Sequence, residues 1–316
     1  MDVTRTRIVA RARRLSPRQA LSAGWERLLW GRRTVRWEEE SSQGLTGVVE
    51  AVLTRCETGP DTVAIDLGCG SGQVTLPLAP RCARVLAVDV NGPAVQMLGE
   101  KAAAADITNV QLLTTPIQGL DLDPASVDLI VTNYTLHHLG DADKRALLAD
   151  AIVWLKPGGQ LVIGDMMFGR GSSQDDREII TAKLRAMVVR GPAGWWRILK
   201  NVFRFALRIQ EKTLPVAVWE RIVGEAGFTE IRTERVVQEA CVLSAVRPRV
   251  VPASLGLRGP HSPPRAAEPT APRPRDTFNE AKRWARAQAS PSKALSAALS
   301  VWLGRIASVA RSGSGR

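Results

Sequence analysis

From Thr62 to about Ala245 the chain alternates short apolar runs with stretches of helical periodicity. The runs are Val63–Leu67, Arg84–Asp89, Val110–Leu113, Val127–Thr132 and Leu161–Asp165, each followed by loop residues and a helical pattern. Strands that are apolar on both faces need cover on both faces, and alternation with helices supplies it. The pattern therefore predicts a parallel sheet between two helical layers. Right-handed crossovers then make the sheet doubly wound. Two further runs, Thr229–Arg232 and Val236–Ala245, stand too close for a crossover helix and are expected to pair antiparallel. The expected fold class is α/β: a doubly wound, mostly parallel seven-stranded sheet, Rossmann-like, with an antiparallel last strand and a helical insertion.

Other segments fall outside this alternation. Residues 1–45 are a basic extension with helical patterns around Arg7–Leu15 and Leu21–Trp30. The domain proper is expected over 46–246. Residues 166–215 interrupt it between the fifth strand and a helix over Val216–Ala226, with a local charge of +6. Within this insertion Trp196, Leu199, Val202 or Phe203 and Ala206 follow helical spacing and read as a packed helix face, and because insertions at this place in such a fold usually form a lid, a helical lid is the expectation for 166–215. Residues 247–275 hold eight Pro among Arg, Ala and Ser, a composition that cannot bury a core and reads as a disordered linker. Beyond it, 276–316 reads as basic amphipathic helices.

The chemistry concentrates after the first strand, in Ala64-Ile65-Asp66-Leu67-Gly68-Cys69-Gly70-Ser71-Gly72. Glycines at a strand-to-helix turn permit positive φ and let backbone approach a ligand. The following helix, expected over Gln73–Ala79, offers free N–H groups. The spacing is Gly68-x-Gly70-x-Gly72, not the dinucleotide fingerprint. Asp66, just before the glycines, would repel a phosphate and suits a ligand carrying an ammonium and a sulfonium. Asp89 ends the second strand, where a carboxylate can bind vicinal ribose hydroxyls.

These stretches resemble the class I S-adenosylmethionine-dependent methyltransferases. The glycine loop is similar to the family's first motif. Leu155-Lys156-Pro157-Gly158-Gly159-Gln160-Leu161 resembles its turn before the fifth strand, and Val127 through Leu139 resembles its fourth strand with the His-His-Leu ending. In look it stands nearest the menaquinone/ubiquinone C-methyltransferase-like branch, which acts on small molecules. The resemblance implies S-adenosylmethionine as cofactor and methyl transfer to a small-molecule acceptor, at O, N or C. It implies that Asp66, Gly68, Gly70 and Gly72 hold the aminocarboxypropyl side and Asp89 the ribose. Val90 and Asn91 would then flank the adenine. Where the family usually carries Gly-Asp-Ala, this chain has Thr114-Thr115-Pro116. Thr115 and the backbone of Pro116 and Ile117 are expected to meet the adenine, without a charge-assisted bond. Cys69, which fills the loop, and Asn133, which ends the fourth strand, are grouped with the cofactor pocket.

His137 and Asp165 follow the fourth and fifth strands, at the carboxyl end of the sheet where ligands bind. Each reads as a general base or substrate contact, or, for His137, as a loop residue packed on the cofactor. Asp141 and Asp143 read as caps of the helix beginning near Ala142.

Charge and cysteine content narrow the partners. The net +12 divides into +8 over residues 1–36, +10 over 247–316 and −6 between them, so it describes the ends and not the pocket. Four Cys without a Cys-x-x-Cys pair argue against a thiolate zinc site and a disulfide scaffold, and no metal is expected. No uncharged apolar run reaches the ~18–20 residues of a spanning helix. Asn133-Tyr134-Thr135 stands where base-amine methyltransferases carry Asn/Asp-Pro-Pro-aromatic, so nucleic acid is an unfavoured substrate. The alternatives are an RNA-directed enzyme gripping through its basic ends, and a module that binds the cofactor without turnover. The expected location is cytoplasmic. The basic ends either pack on the domain or touch anionic membrane at its inner face. Oligomeric state is not legible.

Overall fold

The apolar runs become neighbouring strands of one sheet in the computed structural model, which describes residues 7–31, 44–169, 177–178 and 212–249. The chain divides into two units, Met1–Gly256 and Leu257–Arg316, and every described residue lies in the first. In chain order the strands are β1 (Ala10–Ala12), β2 (Val63–Leu67), β3 (Arg84–Asp89), β4 (Val110–Thr114), β5 (Leu120–Leu122), β6 (Val127–Asn133), β7 (Leu155–Met166), β8 (Thr229–Arg235) and β9 (Ala240–Val246). The helices are α1 (Pro17–Gly31), α2 (Gly44–Arg55), α3 (Thr75–Leu78), α4 (Gly92–Ala104), α5 (Asp141–Trp154) and α6 (Val216–Glu225). The main sheet runs β4-β3-β2-β6-β7-β9-β8. All pairings from β4 to β7 are parallel, and β9 alone is reversed, antiparallel to both β7 and β8. This is the expected doubly wound sheet with an antiparallel last strand.

Alternation along each strand divides the core. Ala64, Val85, Leu129, Val131 and Val162 face one way, onto Val48 and Val52 of α2 and Leu78 of α3. Ile65, Leu67, Leu86, Val88, Ile130, Leu161 and Ile163 face the other way, onto α5 and α6 through Leu148, Trp154, Trp219 and Val223. Each buried Val, Leu or Ile among these contributes roughly 1.5–3 kcal/mol. The chain leaves β2 in both directions, toward β3 on one side and β6 on the other. The crevice at the carboxyl end of β2 is therefore the switch point at which α/β sheets bind ligands.

The structure corrects several expectations. The Arg7–Leu15 segment is not helical. Ala10–Ala12 is a strand, and it pairs antiparallel with β5, a strand the sequence did not reveal. Ile8 is buried, Arg11 pairs with Asp123 at 2.5 Å, and Arg13 meets Asp121 at 3.0 Å and Asp150 at 3.1 Å. A β-branched, Arg-rich run finds a strand partner and carboxylates here, and tertiary pairing outweighs its helical spacing. The helix expected over Gln73–Ala79 is only α3, continued by a 3-10 turn at Ala79–Arg81. The last strand begins at Ala240 because Val236–Gln238 are spent on the turn, where Val236 N donates to Ala240 O. Most of the expected lid lies outside the described residues, as do nearly all of the linker and the whole of 276–316. Among the described residues no helix is long and apolar enough to cross a membrane.

Candidate functional site

The glycine loop is fastened to β3 by its backbone: Gly68 N and Cys69 N both donate to Val88 O, at 2.7 and 3.0 Å. Its three glycines have φ of +79°, +51° and +97°, which side-chain-bearing residues adopt only with strain. They answer different demands. A Cβ on Gly68 would stand 2.1 Å from Thr135 Oγ1, and one on Gly72 would stand 2.4 Å from Leu98 Cδ1. A Cβ on Gly70 would meet nothing within 4 Å. The outer glycines let the protein close on itself, and the middle one leaves open space beside the loop.

Two carboxylates stand at the strand ends that carry the loop, and one of them, Asp89, bonds Gly70 itself. Asp66, on β2, is 1% exposed and accepts a 2.6 Å hydrogen bond from Thr75 Oγ1. Burial pushes its carboxyl up to about 7, against the pull of the Thr75 bonds. Asp89, at the end of β3, accepts from Gly70 N at 2.9 Å through Oδ2 and from Asn91 N at 2.8 Å through Oδ1. Burial raises it too, opposed by these backbone donors. Thr114 is in register with Asp89, and Thr115 N donates to Asp89 O at 2.9 Å. Thr115, Pro116 and Ile117 thus lie beside Asp89, as do Val90 and Asn91. Cys69 is buried with Ala87, Val95 and Leu98, so its side chain packs under the loop. Asn133 is placed differently. Its Oδ1 lies toward Gly164, where a Cβ would come within 2.7 Å of it, among Val48 and Val52 and not in the glycine loop. That oxygen is buried and has no hydrogen-bond partner.

On the other side of the switch point the chain leaves β6 through Tyr134 at φ +47° and a 3-10 turn, Leu136–His138. Thr135 Oγ1 reaches back to Gly68 O at 3.3 Å and so joins this loop to the glycine loop. His137 and Asp165 come together: Nδ1 of His137 is 2.6 Å from Asp165 Oδ1, and His137 N donates to Asp165 Oδ2 at 2.9 Å. Met166 N donates to Asp165 Oδ1 at 2.7 Å. His137 is 6% and Asp165 1% exposed. Burial, the largest influence, pushes the Asp165 carboxyl up. The His137 imidazole and the Met166 N–H outweigh it and hold the carboxyl below its usual range. An ionised Asp165 fixes the proton on Nδ1 and leaves Nε2 as the basic ring nitrogen.

Sequence reasoning misplaced the cap of α5. Gly140 is the N-cap and no side chain bonds there; Asp141 and Asp143 sit in the first turn, at the positive end of the helix. It also passed over Lys144, which is 0% exposed and donates from Nζ to Leu139 O at 2.9 Å and to Lys212 O. The signal was present: Lys144 stands three and four residues before Leu147 and Leu148, on the helix's buried stripe. Among the described residues no group of three His, Cys, Asp or Glu could hold a metal ion.

Residues 64–159 match the family described as a methyltransferase domain. A carboxy-S-adenosyl-L-methionine synthase of Shewanella sp. is 35% identical over 111 residues, 34% of this chain and 45% of the relative. An uncharacterised methyltransferase of Geobacillus kaustophilus is 28% identical over 137 residues, 43% of this chain and 61% of the relative. The chain thus spans about half the length of these relatives. Among solved structures, a chain from the complex of Haloferax volcanii Trm112, a methyltransferase activator, superposes with a TM-score of 0.51. That match is 15% identical and covers 70% of this chain and 95% of that one, a likeness of fold. The open space beside Gly70, the buried Asp66 and the half-buried Asp89 fit a cationic adenosyl cofactor. Over residues 64–159 the chain is thus similar to a methyltransferase domain, and the sheet around it has the fold of the class I, S-adenosylmethionine-dependent enzymes.

Proposed function

We propose that the chain transfers a methyl group from S-adenosylmethionine to a small-molecule acceptor whose attacking atom carries a removable proton. The observation that carries this reading is the His137–Asp165 pair at 2.6 Å, held at the carboxyl ends of β6 and β7. An acceptor without such a proton has no use for a base.

Bound at the glycine loop, the cofactor supplies an electrophilic methyl on a sulfonium. Asp66 and Asp89 are the groups to hold it, the first toward its cationic end and the second at the ribose hydroxyls. Thr115, Pro116 and Ile117 would border the adenine. Asp165 keeps the Nδ1 proton of His137, so Nε2 accepts the acceptor's proton as the nucleophile forms. The resulting imidazolium is stabilised by the carboxylate behind it. Alignment of donor and nucleophile does the rest and supplies up to about 7–11 kcal/mol in the best cases.

The Shewanella relative's name raises a second reading, in which the cofactor itself is altered. One experiment addresses both. The full chain is given methyl-labelled S-adenosylmethionine with a panel of phenols, alcohols, amines and carbon acids. Acceptor mass and cofactor mass are both followed. Labelled hydroxyl acceptor that disappears in His137→Gln supports the proposal. Transfer that persists in that variant removes the base, and a modified cofactor without a methylated acceptor favours the second reading.

Of the N-terminal arginines, Arg11 and Arg13 are engaged by the domain's own carboxylates while Arg7, Arg14 and Arg18 are exposed, and membrane contact through the basic ends remains a proposal. The C-terminal segment, on which the membrane proposal also rests, is tested by co-sedimentation of the full chain with anionic vesicles.

A further inference from the structure

The turn that carries His137 does not satisfy its own backbone. A helical turn leaves its last carbonyls without partners, and here three consecutive ones are taken by two lysines. His137 O accepts from Lys212 N at 2.7 Å, His138 O from Lys212 Nζ at 3.1 Å, and Leu139 O from Lys144 Nζ at 2.9 Å. Lys144 Nζ also donates to Lys212 O, so the two lysines brace one another. Around the buried ammonium stand Asp141 Oδ1 at 3.8 Å and the Trp219 ring at 6.0 Å.

Burying an ammonium costs several kcal/mol before its partners compensate, and a Leu or Met would fill the same space on the stripe of α5 without that cost. What a Met could not do is hold Leu139 O and Lys212 O. Asp165 grips His137 from one side, at its ring and its N–H, while the lysines grip the carbonyls on the other side of the same turn. Without the two ammonium groups the turn keeps Asp165 at His137 and the backbone bond from Lys212 N to His137 O, but His138 O and Leu139 O lose their donors and the turn is held less tightly.

We propose that Lys144 and Lys212 are positioning residues, which fix the turn of residues 136–139 so that His137 keeps one orientation and one tautomer. The inference rests on the reading of His137 as the base, and its test does not require turnover. The sequence contains three histidines, His137, His138 and His261, so the imidazole nitrogens of the 15N-labelled full chain can be assigned individually. The wild type is expected to show His137 as the single Nδ1–H tautomer, and Asp165→Asn to lose that pattern. Lys144→Met is expected to broaden it or split it between tautomers, with Lys144→Arg restoring it in part. S-adenosylhomocysteine affinity, read by calorimetry, should stay within about twofold, because the glycine loop is untouched. Lys212→Met removes only the side-chain donor to His138 O and is the variant to read if Lys144→Met does not fold. It should give a smaller change of the same kind.

A single sharp Nδ1–H tautomer in both Met variants, whatever the fall in melting temperature, overturns the proposal and makes the lysines packing elements. An intact base reading is judged separately, by methyl transfer in His137→Gln. The spectra can thus fail while the base stands, and the base can fail while the spectra behave as expected.

Discussion

The two halves of the crevice are built from different materials. On the β2–β3–β4 side the ligand surface is mostly backbone: three positive-φ glycines, amides donating to Val88 O, and Asp89 wrapped by its own neighbours' N–H groups. On the β6–β7 side it is a side-chain pair reaching across a long stretch of sequence, His137 to Asp165, backed by the buried Lys144, which bonds Lys212 O. Backbone surfaces tolerate little variation in shape and suit a ligand that never changes. Side-chain surfaces can be re-specified one residue at a time, which suits an acceptor that differs from enzyme to enzyme.

That contrast can be broken at its strongest point. Asp165→Asn should lower methyl transfer by about 10²–10⁴, the usual worth of a positioned base, while leaving S-adenosylhomocysteine affinity nearly unchanged. Parallel losses of binding and turnover, by calorimetry and labelled-methyl assay, would merge the two halves into one.

The buried acid of the cofactor half gives a pH signature. Asp66 titrates near 7 in the folded chain against roughly 3.9 unfolded, so between these values the folded state holds the extra proton. Stability without cofactor should therefore fall as pH rises from about 4 to 7, by on the order of a few kcal/mol, and level off above. Asp89 acts in the same direction, and Asp165, whose carboxyl is depressed, acts in the opposite one at lower pH. Thermal melts of wild type and Asp66→Asn should converge near pH 4 and separate toward pH 8, with the variant the more stable. A gap that does not change with pH would show that Asp66 is ionised throughout.

Within the cofactor half, Gly70 and Asp89 separate occupancy from architecture. Gly70→Val projects into open space and should cost S-adenosylhomocysteine binding about 2 kcal/mol or more. Asp89→Ala should cost about 1.5–3 kcal/mol, as for hydrogen bonds to a charged group. Calorimetry of both, beside melting temperature, shows whether binding is lost without the fold. The smallest effect belongs to the periphery. Arg13→Ala should reduce stability by roughly 1 kcal/mol or less, since exposed ion pairs are screened and entropically costly, and should leave binding alone.

The same contrast explains what the sequence could disclose. The glycine loop, Asp66 and Asp89 are legible because their signals are local, strand ends and a tight turn, although the bond from Gly70 N to Asp89 joins two strands. The order and direction of the main-sheet strands follow from apolar runs and crossover length. The meeting of His137 with Asp165 is only half legible. Each was placed at a strand end, but their 2.6 Å contact depends on the register of β6 against β7, Asn133 opposite Gly164. Lys144 was hidden by its chemistry, because a lysine on a helix is read as solvated unless its place on the apolar stripe is noticed. The β1–β5 pairing was hidden by distance, since no local pattern tells Ala10–Ala12 that its partner lies at Leu120–Leu122.

That last pairing sets an order of events during synthesis. Ala10 emerges before Leu122 and has no partner until that residue has followed it, after β2, β3 and β4 have been made. The glycine loop with β2, β3 and β4 can thus assemble before the Ala10–Ala12 strand is committed, and closing so long a loop is a late, slow step. A shortened chain beginning at residue 46 would skip that step altogether. It would leave the backbone edge of Leu120–Leu122 unpaired, and Asp121, Asp123 and Asp150 without their arginines.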